Sequence, residues 1–266
     1  MSTISIKKQN EIQKMRAVSK LVAEVLEMIE QYIEPDISTG ELDSICHNYI
    51  INQQQAKPAC LGYHGFPKSI CISVNNVVCH GIPNYKNKLQ CGDIVNIDVA
   101  IIKNQYYGDA SKMFFVGNPT PLGKLLCEVT RQSLYLSLYE IKPGIYLNKI
   151  GKTIQKYVEK HNFSIVREYC GHGIGTKFHE PPQVLHHNYY NSKDIILKSG
   201  MTFTIEPMVN SGSCKVKCMN DGWTVQTQDN SLSAQYEHTI LVNETGCEVL
   251  TIQKEETIPK IFNNCL

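Results

Sequence analysis

The sequence has no surplus of charge of either sign. In 266 residues, 26 lysines and arginines stand against 25 aspartates and glutamates, a formal net charge of +1. A protein whose main partner is a nucleic-acid backbone needs a clustered basic excess, so specific nucleic-acid binding is not expected. Long apolar runs are also missing. No stretch approaches the roughly 18–20 residues needed to cross a bilayer, and residues 1–16 lack the apolar core of a secretory signal. A soluble protein with no membrane partner is expected. The cysteines show no disulfide pattern: there are eleven, an odd number. They sit singly in apolar strings such as Ile45-Cys46, Val78-Cys79 and Leu126-Cys127. Free cysteine behaves this way as a small buried hydrophobe in a reducing cytoplasm. Cys214 and Cys218 form the one close pair, and no second Cys or His pair stands at zinc-finger spacing; two thiols on a hairpin are expected there. What is present is 42% apolar content, enough for a substantial core in one large domain or two small ones.

Ile12, Met15, Val18, Val22, Val25, Leu26, Ile29 and Ile33 recur mostly at steps of three and four. This predicts an amphipathic helix over 11–33, ended by Pro35. Ser38 and Glu41 form a capping box, with Ile37 and Leu42 as its hydrophobic staple, opening a second helix to about Asn52. Strand-like runs follow at 69–74, 93–102 and 106–116. The plan restarts near Pro121, with helices at 125–141 and 148–161. Strand-like segments then come at 164–169, 201–209, 223–226, 233–242 and 247–252. A shift of 108 superposes the halves: Pro35 on Pro143, Ile37 on Ile145, Leu42 on Ile150, Tyr49 on Tyr157, Leu89 on Leu197, Gly92 on Gly200, Ile97 on Ile205 and Asp98 on Glu206. A register held this long points to internal duplication. The expectation is a single α+β domain over 1–266, with pseudo-symmetric αα-β halves at about 11–116 and 121–252 and an active site where they meet.

Four carboxylates interrupt apolar strands. Asp98 lies in Ile94-Val95-Asn96-Ile97-Asp98-Val99, and Glu206 lies in Phe203-Thr204-Ile205-Glu206-Pro207. A carboxylate buried there loses its hydration unless it is paired or binds a cation. Pro207 has no N–H for a ladder, so the strand is expected to end or run along an edge at that point. Asp109 follows Asp98 by a hairpin return. Glu237 stands in the same relation to Glu206, with about twenty extra residues in the loop. Four converging acids carry four negative charges, which two divalent cations would balance. His172 stands between glycines in Gly171-His172-Gly173, which predicts a sharp turn that exposes an imidazole ligand. His179 and His80 are candidate catalytic or substrate-contacting groups. His64 aligns with His172 by the repeat and is at most a substrate-side loop residue. His47, His161, His186 and His187 carry no functional signal.

Together these segments resemble the type I methionine aminopeptidases. The resemblance rests on Ala59-Cys60-Leu61-Gly62-Tyr63-His64-Gly65-Phe66-Pro67, Cys79-His80-Gly81-Ile82-Pro83, Asn96-Ile97-Asp98-Val99, Gly108-Asp109, Gly171-His172-Gly173-Ile174-Gly175, Thr202-Phe203-Thr204-Ile205-Glu206-Pro207 and Tyr236-Glu237-His238-Thr239. It covers essentially the whole chain and is nearest the short bacterial form, since neither a zinc-finger extension nor the helical insertion of type II enzymes is evident. It implies a pita-bread α+β fold with pseudo-twofold halves around a dinuclear metal site. Asp98 would hold one metal, His172 and Glu206 the other, and Asp109 and Glu237 both. Catalytic roles fall on His80, His179 and Glu206. Cys60, Tyr63, Phe66, Cys71, Phe178 and Trp223 match pocket positions, with Phe66 departing from a frequent Tyr. The two divalent ions could be Co, Mn, Fe(II), Zn or Ni. The implied substrates are N-terminal methionyl peptides and nascent chains with a small second residue, processed by a cytoplasmic monomer in transient contact with ribosomes. A proline-directed peptidase of the same fold shares these ligands but usually carries a large N-terminal domain. Non-catalytic binding modules of the fold have lost ligands that are intact here.

Overall fold

The computed structural model describes residues 4–189 and 194–258. Helix α1 (Gln9–Ile29) buries the predicted stripe of Ile12, Met15, Val18, Val22, Val25, Leu26 and Ile29. One 3-10 turn, Glu30–Tyr32, extends it before Pro35. Helix α2 (Thr39–Asn48) opens on the expected capping box: Ser38 Oγ accepts the Glu41 N–H (3.1 Å), and Glu41 Oε2 accepts the Ser38 N–H (2.9 Å). A single π turn, Tyr49–Gln53, carries the helical path to the predicted end. Strands β1 (Lys57–Pro58), β2 (Cys71–Val74), β3 (Val77–Cys79), β4 (Ile94–Lys103) and β5 (Tyr106–Phe115) complete the first half. β4 and β5 form an antiparallel hairpin paired along its full length, and β1 and β2 share the other edge of β4.

The second half repeats this order. Helix α3 (Pro121–Leu138) starts on Thr120, whose side chain accepts from the Gly123 N–H, and α4 (Asn148–Lys160) follows. Ten short strands come next: β6 (Ser164–Ile165), β7 (Gly171–Gly173), β8 (Glu180–Val184), β9 (Thr202–Ile205), β10 (Met208–Asn210), β11 (Val216–Cys218), β12 (Val225–Thr227), β13 (Ser233–Gln235), β14 (His238–Val242) and β15 (Cys247–Val249). They form the sheets β15-β14-β9-β7-β8 and β13-β10-β6, while β11 and β12 pair onto β3 of the first half.

Backbone bonds repeat at the expected offset. The Ile37 carbonyl accepts the Leu89 N–H (2.9 Å), and 108 residues on, the Ile145 carbonyl accepts the Leu197 N–H (2.8 Å). The bridges Ser38↔Lys88 and Tyr146↔Ile196 repeat at the same distance. The long strand β4 has a counterpart cut in two, β9 and β10, at Glu206-Pro207, because Pro207 offers no N–H. Its partner is cut at Tyr236-Glu237 into β13 and β14. Ala100 faces Asp109 and Met208 faces Gln235, while Ile97 faces Lys112 and Ile205 faces His238. On the return strand the offset therefore rises from 108 to 126, so the second hairpin holds eighteen extra residues; they build β11 and β12.

Each half has its own apolar cluster. In the first, Met15, Val22, Leu26 and Leu42 from the helices pack on Val95, Ile97 and Val99. In the second, Leu126, Leu134, Ile150 and Ile154 pack on Phe203, Ile205 and Ile240. Each fully buried aliphatic side chain contributes roughly 1.5–3 kcal/mol. The strand expected at 164–169 is short: after Val166 donates to the Met208 carbonyl (3.0 Å), the chain leaves the edge. Among the described residues no helix is long and apolar enough to cross a membrane.

Candidate metal centre and active site

The four acids meet where the two hairpins touch. Asp98 on β4 faces Ser111 on one side and Cys71 on the other, and Asp109 on β5 faces Ala100. Glu206 and Glu237 occupy the two breaks in the second-half ladder. There Ser111 and Glu237 exchange backbone bonds across the halves (3.3 and 3.0 Å). The ladder corrects the simple pairing of acid with acid. Asp98 and Glu206 are equivalent, but the counterpart of Asp109 is Gln235 and that of Glu237 is Ser111. An allowance of about twenty extra residues in the second hairpin set Glu237 against Asp109; the ladder holds eighteen, a difference of two that moves the match to Gln235.

His172 is not on an exposing turn. It is the central residue of β7 and is 9% exposed. Neither flanking glycine takes the left-handed conformation. A Cβ on Gly171 would lie 2.3 Å from the Thr204 carbonyl oxygen, and one on Gly173 would lie 2.1 Å from that of Pro181. The glycines are there so that neighbouring strands can close on the imidazole from both sides. Nδ1 lies 3.0 Å from the Gly173 carbonyl oxygen. Nε2 is turned to the acids, 3.6 Å from Asp109 Oδ2 and 3.7 Å from Glu206 Oε1. His64 is not its counterpart: Gly173 faces Phe203 and Val74 faces Val95, so Ser73 occupies the equivalent place. His64 is exposed in a 3-10 turn at the cavity rim.

One ligand atom each from Asp109, His172 and Glu237 lie within 4.8 Å of one another. Glu206 Oε1 accepts from Thr204 Oγ1 (2.7 Å), and Gln235 Nε2 approaches Oε2 at 3.4 Å. Burial pushes all four acids up. Asp109 and Glu206 rise to about 8, although the His172 imidazole and the Thr204 hydroxyl pull Glu206 down. Burial followed by the charge of Asp109 lifts Asp98 well above the carboxylate range; Glu237 is lifted by burial and by Asp109, Glu206 and Asp98. Asp109 Oδ1 and Glu237 Oε1 are buried with no donor among the described residues. Oxygen acceptors lacking donors, grouped with one imidazole nitrogen, are a donor set that fits divalent cations. The residues present therefore suit the metal that the sequence implies.

A cavity of about 470 Å³ opens over the acids, and every residue singled out as catalytic, metal-ligating or pocket-lining borders it. Its apolar wall holds Cys60, Tyr63, Phe66, Cys71, Phe178 and Trp223. Phe66 meets Trp223 edge-on at 5.1 Å, Tyr63 meets Phe178 edge-on at 4.9 Å, and Tyr107 stacks on Phe178 from behind at 5.6 Å. A hydrogen bond with the Cys60 thiol, and then burial, pushes the Cys71 thiol well up, so it stays a neutral wall atom. His179 Nδ1 lies 2.7 Å from Tyr63 Oη, and its ring is 4.1 Å from that of His172. Burial, then the imidazoles of His172, His80 and His64, lowers its pKa to about 3. His80 ends β3 with φ 54° and meets Tyr169 edge-on at 5.5 Å; burial lowers its pKa.

Several supporting residues gave no sequence signal. Tyr169, Gln183 and Met208 also line the cavity. His186, expected to be inert, is 1% exposed, and its Nε2 accepts the Glu206 N–H (3.0 Å). It supplies the acceptor that a strand interrupted at Pro207 lacks. Nothing in its local sequence marks it, because the contact spans twenty residues.

A buried acid and imidazole cluster between pseudo-equivalent halves, floored beneath an apolar cleft, defines the class of metal-dependent hydrolases. The profile of metallopeptidase family M24 matches residues 13–244. The chain belongs to that family and has its pita-bread fold. It is 69% identical over 264 residues to a methionine aminopeptidase of Buchnera aphidicola subsp. Baizongia pistaciae, covering 99% of each chain. It is 61% identical over 263 residues to a methionine aminopeptidase of Escherichia coli, covering 98% of each. The crystal structure of methionine aminopeptidase from Rickettsia prowazekii superposes with a TM-score of 0.91 at 47% identity, over 94% of this chain and all of that one.

Proposed function

We propose that this chain is a methionyl aminopeptidase that releases the N-terminal methionine of peptides and nascent chains when the second residue is small. Residues 1–266 would act as one catalytic domain, in the cytoplasm, as a monomer in passing contact with ribosomes. The observation that carries the reading is the gathering of four acids, three of them buried, and the His172 imidazole on the floor of an apolar cleft, with Asp109 Oδ1 and Glu237 Oε1 lacking a donor among the described residues. The relatives alike over nearly the full length are methionine aminopeptidases.

Asp98 would hold one cation, His172 and Glu206 a second, and Asp109 and Glu237 both. Divalent cations held there would supply a water of near-neutral pKa and polarise the substrate carbonyl. The acids then stay ionised and face the free α-amine of the substrate. Glu206, oriented by Thr204, takes the proton of the attacking water and passes it to the leaving amine. His179 donates to the carbonyl oxygen as it becomes tetrahedral. With the Tyr63 hydroxyl donating to Nδ1, the ring proton of His179 sits on Nε2, and the depressed pKa keeps the ring neutral. His80 contacts the backbone of the second residue and assists protonation of the leaving nitrogen. Cys60, Cys71, Tyr63, Phe66, Phe178 and Trp223 enclose an unbranched thioether, to which sulfur and aromatic edges are well matched.

The test is turnover of Met-Ala-Ser against Ala-Pro-Ala by metal-free protein, with Co, Mn, Fe(II), Zn and Ni added singly. Metal-dependent release of methionine alone is expected. Faster cleavage of Ala-Pro-Ala would favour the proline-directed reading, and no cleavage with any metal would refute catalysis.

A further inference from the structure

A buried ion pair borders the site without belonging to the acid cluster. Lys7 precedes α1, yet its side chain is 3% exposed, and its Nζ stands 2.9 Å from Glu180 Oε2, on a side chain 9% exposed. Lysine is almost never this buried unless paired. The Lys7 N–H bonds the Gly200 carbonyl (2.8 Å), which fixes the backbone on which this side chain stands. The pair fills a slot that Gly175 leaves open: a Cβ there would lie 2.5 Å from both Glu180 Oε1 and Lys7 Cε. Glu180 directly follows His179. Its Oε1 accepts the Lys177 N–H (3.3 Å), and the Gly175 N–H bonds the Lys177 carbonyl (3.2 Å). One carboxylate thus closes the short loop that presents Phe178 and His179 to the cleft, and one lysine from the start of the chain holds that carboxylate.

We propose that Lys7 is a positioning residue for His179, an inference that rests on the peptidase reading above. Glu180 borders the same cavity as the four acids. With Lys7 present, its charge is neutralised on the far side of the loop. Without Lys7, a buried carboxylate is left unpaired, a strongly destabilising state that it escapes by turning towards the water of the cleft. That turn releases the Lys177 N–H and moves the neighbouring His179 off the Tyr63 hydroxyl. The loss falls on the transition state, because the carbonyl oxygen needs its donor most once it is charged.

The experiment measures kcat and KM on Met-Ala-Ser for the metal-loaded full chain carrying Lys7→Met, in the parent and in a His179→Ala background, with Tm recorded for each. Misplacing a catalytic donor by about an ångström costs on the order of tenfold to a hundredfold. That loss in kcat is expected in the parent background, with little change in KM, and is expected to vanish in the His179→Ala background. Adding Glu180→Gln to Lys7→Met removes the unpaired charge and is expected to restore most of kcat. Should Lys7→Met not fold, the shorter, polar Lys7→Gln, which also leaves Glu180 without a cation, is taken through both backgrounds under the same criterion. An equal fold-loss in both backgrounds, or an unchanged kcat in the parent, overturns the proposal. A parent enzyme that never releases methionine overturns the peptidase reading, and this proposal with it.

Discussion

Replacing Asp109 by its neutral isostere, Asp109→Asn, sets a gain in stability against a loss of function, and the size of the gain can be worked out. Asp109 is 5% exposed, and burial raises its pKa from 3.8 to about 8 in the folded protein. A carboxyl whose folded pKa is raised contributes fully below its unfolded pKa and loses that contribution as pH climbs to the folded value. The metal-free protein should therefore weaken between about pH 4 and pH 8. At 1.36 kcal/mol per pKa unit, a rise of about four units sets a ceiling near 5 kcal/mol. Protons are shared among neighbouring acids, so deleting one recovers only part, on the order of 2 kcal/mol, or about 4–8 °C in Tm for a domain of this size. The assay is thermal unfolding after EDTA treatment at pH 5 and pH 8. The variant should melt higher than the parent at pH 8, and the two should converge at pH 5. Adding metal should reverse the order, because metal that binds only the folded parent stabilises it by an amount that grows with the logarithm of its concentration. The variant should also lose turnover and bound metal. A metal-free variant that melts no higher than the parent at pH 8 would refute the electrostatic account.

Other outcomes follow from the same geometry. His179→Ala should lower kcat about 10²–10³-fold with little change in KM, as for loss of an oxyanion donor; a loss confined to KM would assign His179 to binding alone. Gly173→Ala should abolish metal retention or folding, since its Cβ would sit 2.1 Å from the Pro181 carbonyl oxygen; a normal metal-binding isotherm would contradict the close packing assigned to that glycine. Peptides beginning Met-Ala or Met-Gly should be cut, while Met-Lys and N-blocked methionyl peptides should not. Equal rates on a blocked peptide would remove the role given to the free amine.

Local patterns were legible in the sequence, and so was the repeat that relates them. The α1 stripe and the Ser38/Glu41 box are set by contacts within a few residues, so periodicity and capping chemistry find them directly. The Ile37–Leu89 and Ile145–Leu197 bonds show that the 108-residue shift was a statement about backbone geometry. The shift failed where chain length changed between the halves. The loop before β2 differs from its counterpart, so the shift set His64 against His172, and an insertion read as about twenty residues rather than eighteen set Glu237 against Asp109; only strand pairing decides such matches. His186 and Lys7 were invisible for a different reason. Each acts across a long sequence separation on one partner, and no local spacing records that.

Duplication supplied the frame of this site, and departures from symmetry supply its chemistry. Both aspartates lie in the continuous ladder of β4 and β5, where the pleat fixes a short side chain. Both glutamates lie at breaks, where the ladder no longer satisfies the backbone and other groups must. At Glu206 those groups are His186 on the N–H and Thr204 on the carboxylate. The equivalent positions His172 and Ser73 have diverged in role. In the second half the residue is an imidazole turned into the acids. In the first half Ser73 is 2% exposed, and its Oγ accepts the Gly81 N–H (3.3 Å), bracing the turn that carries His80 at φ 54°. On the proposed function, one half gives its strand position to a cation ligand, and the other gives it to bracing a histidine beside the cleft. A symmetric pair of halves would present two alike sites; on the proposed function this pair presents one site with a metal-binding side and a substrate side.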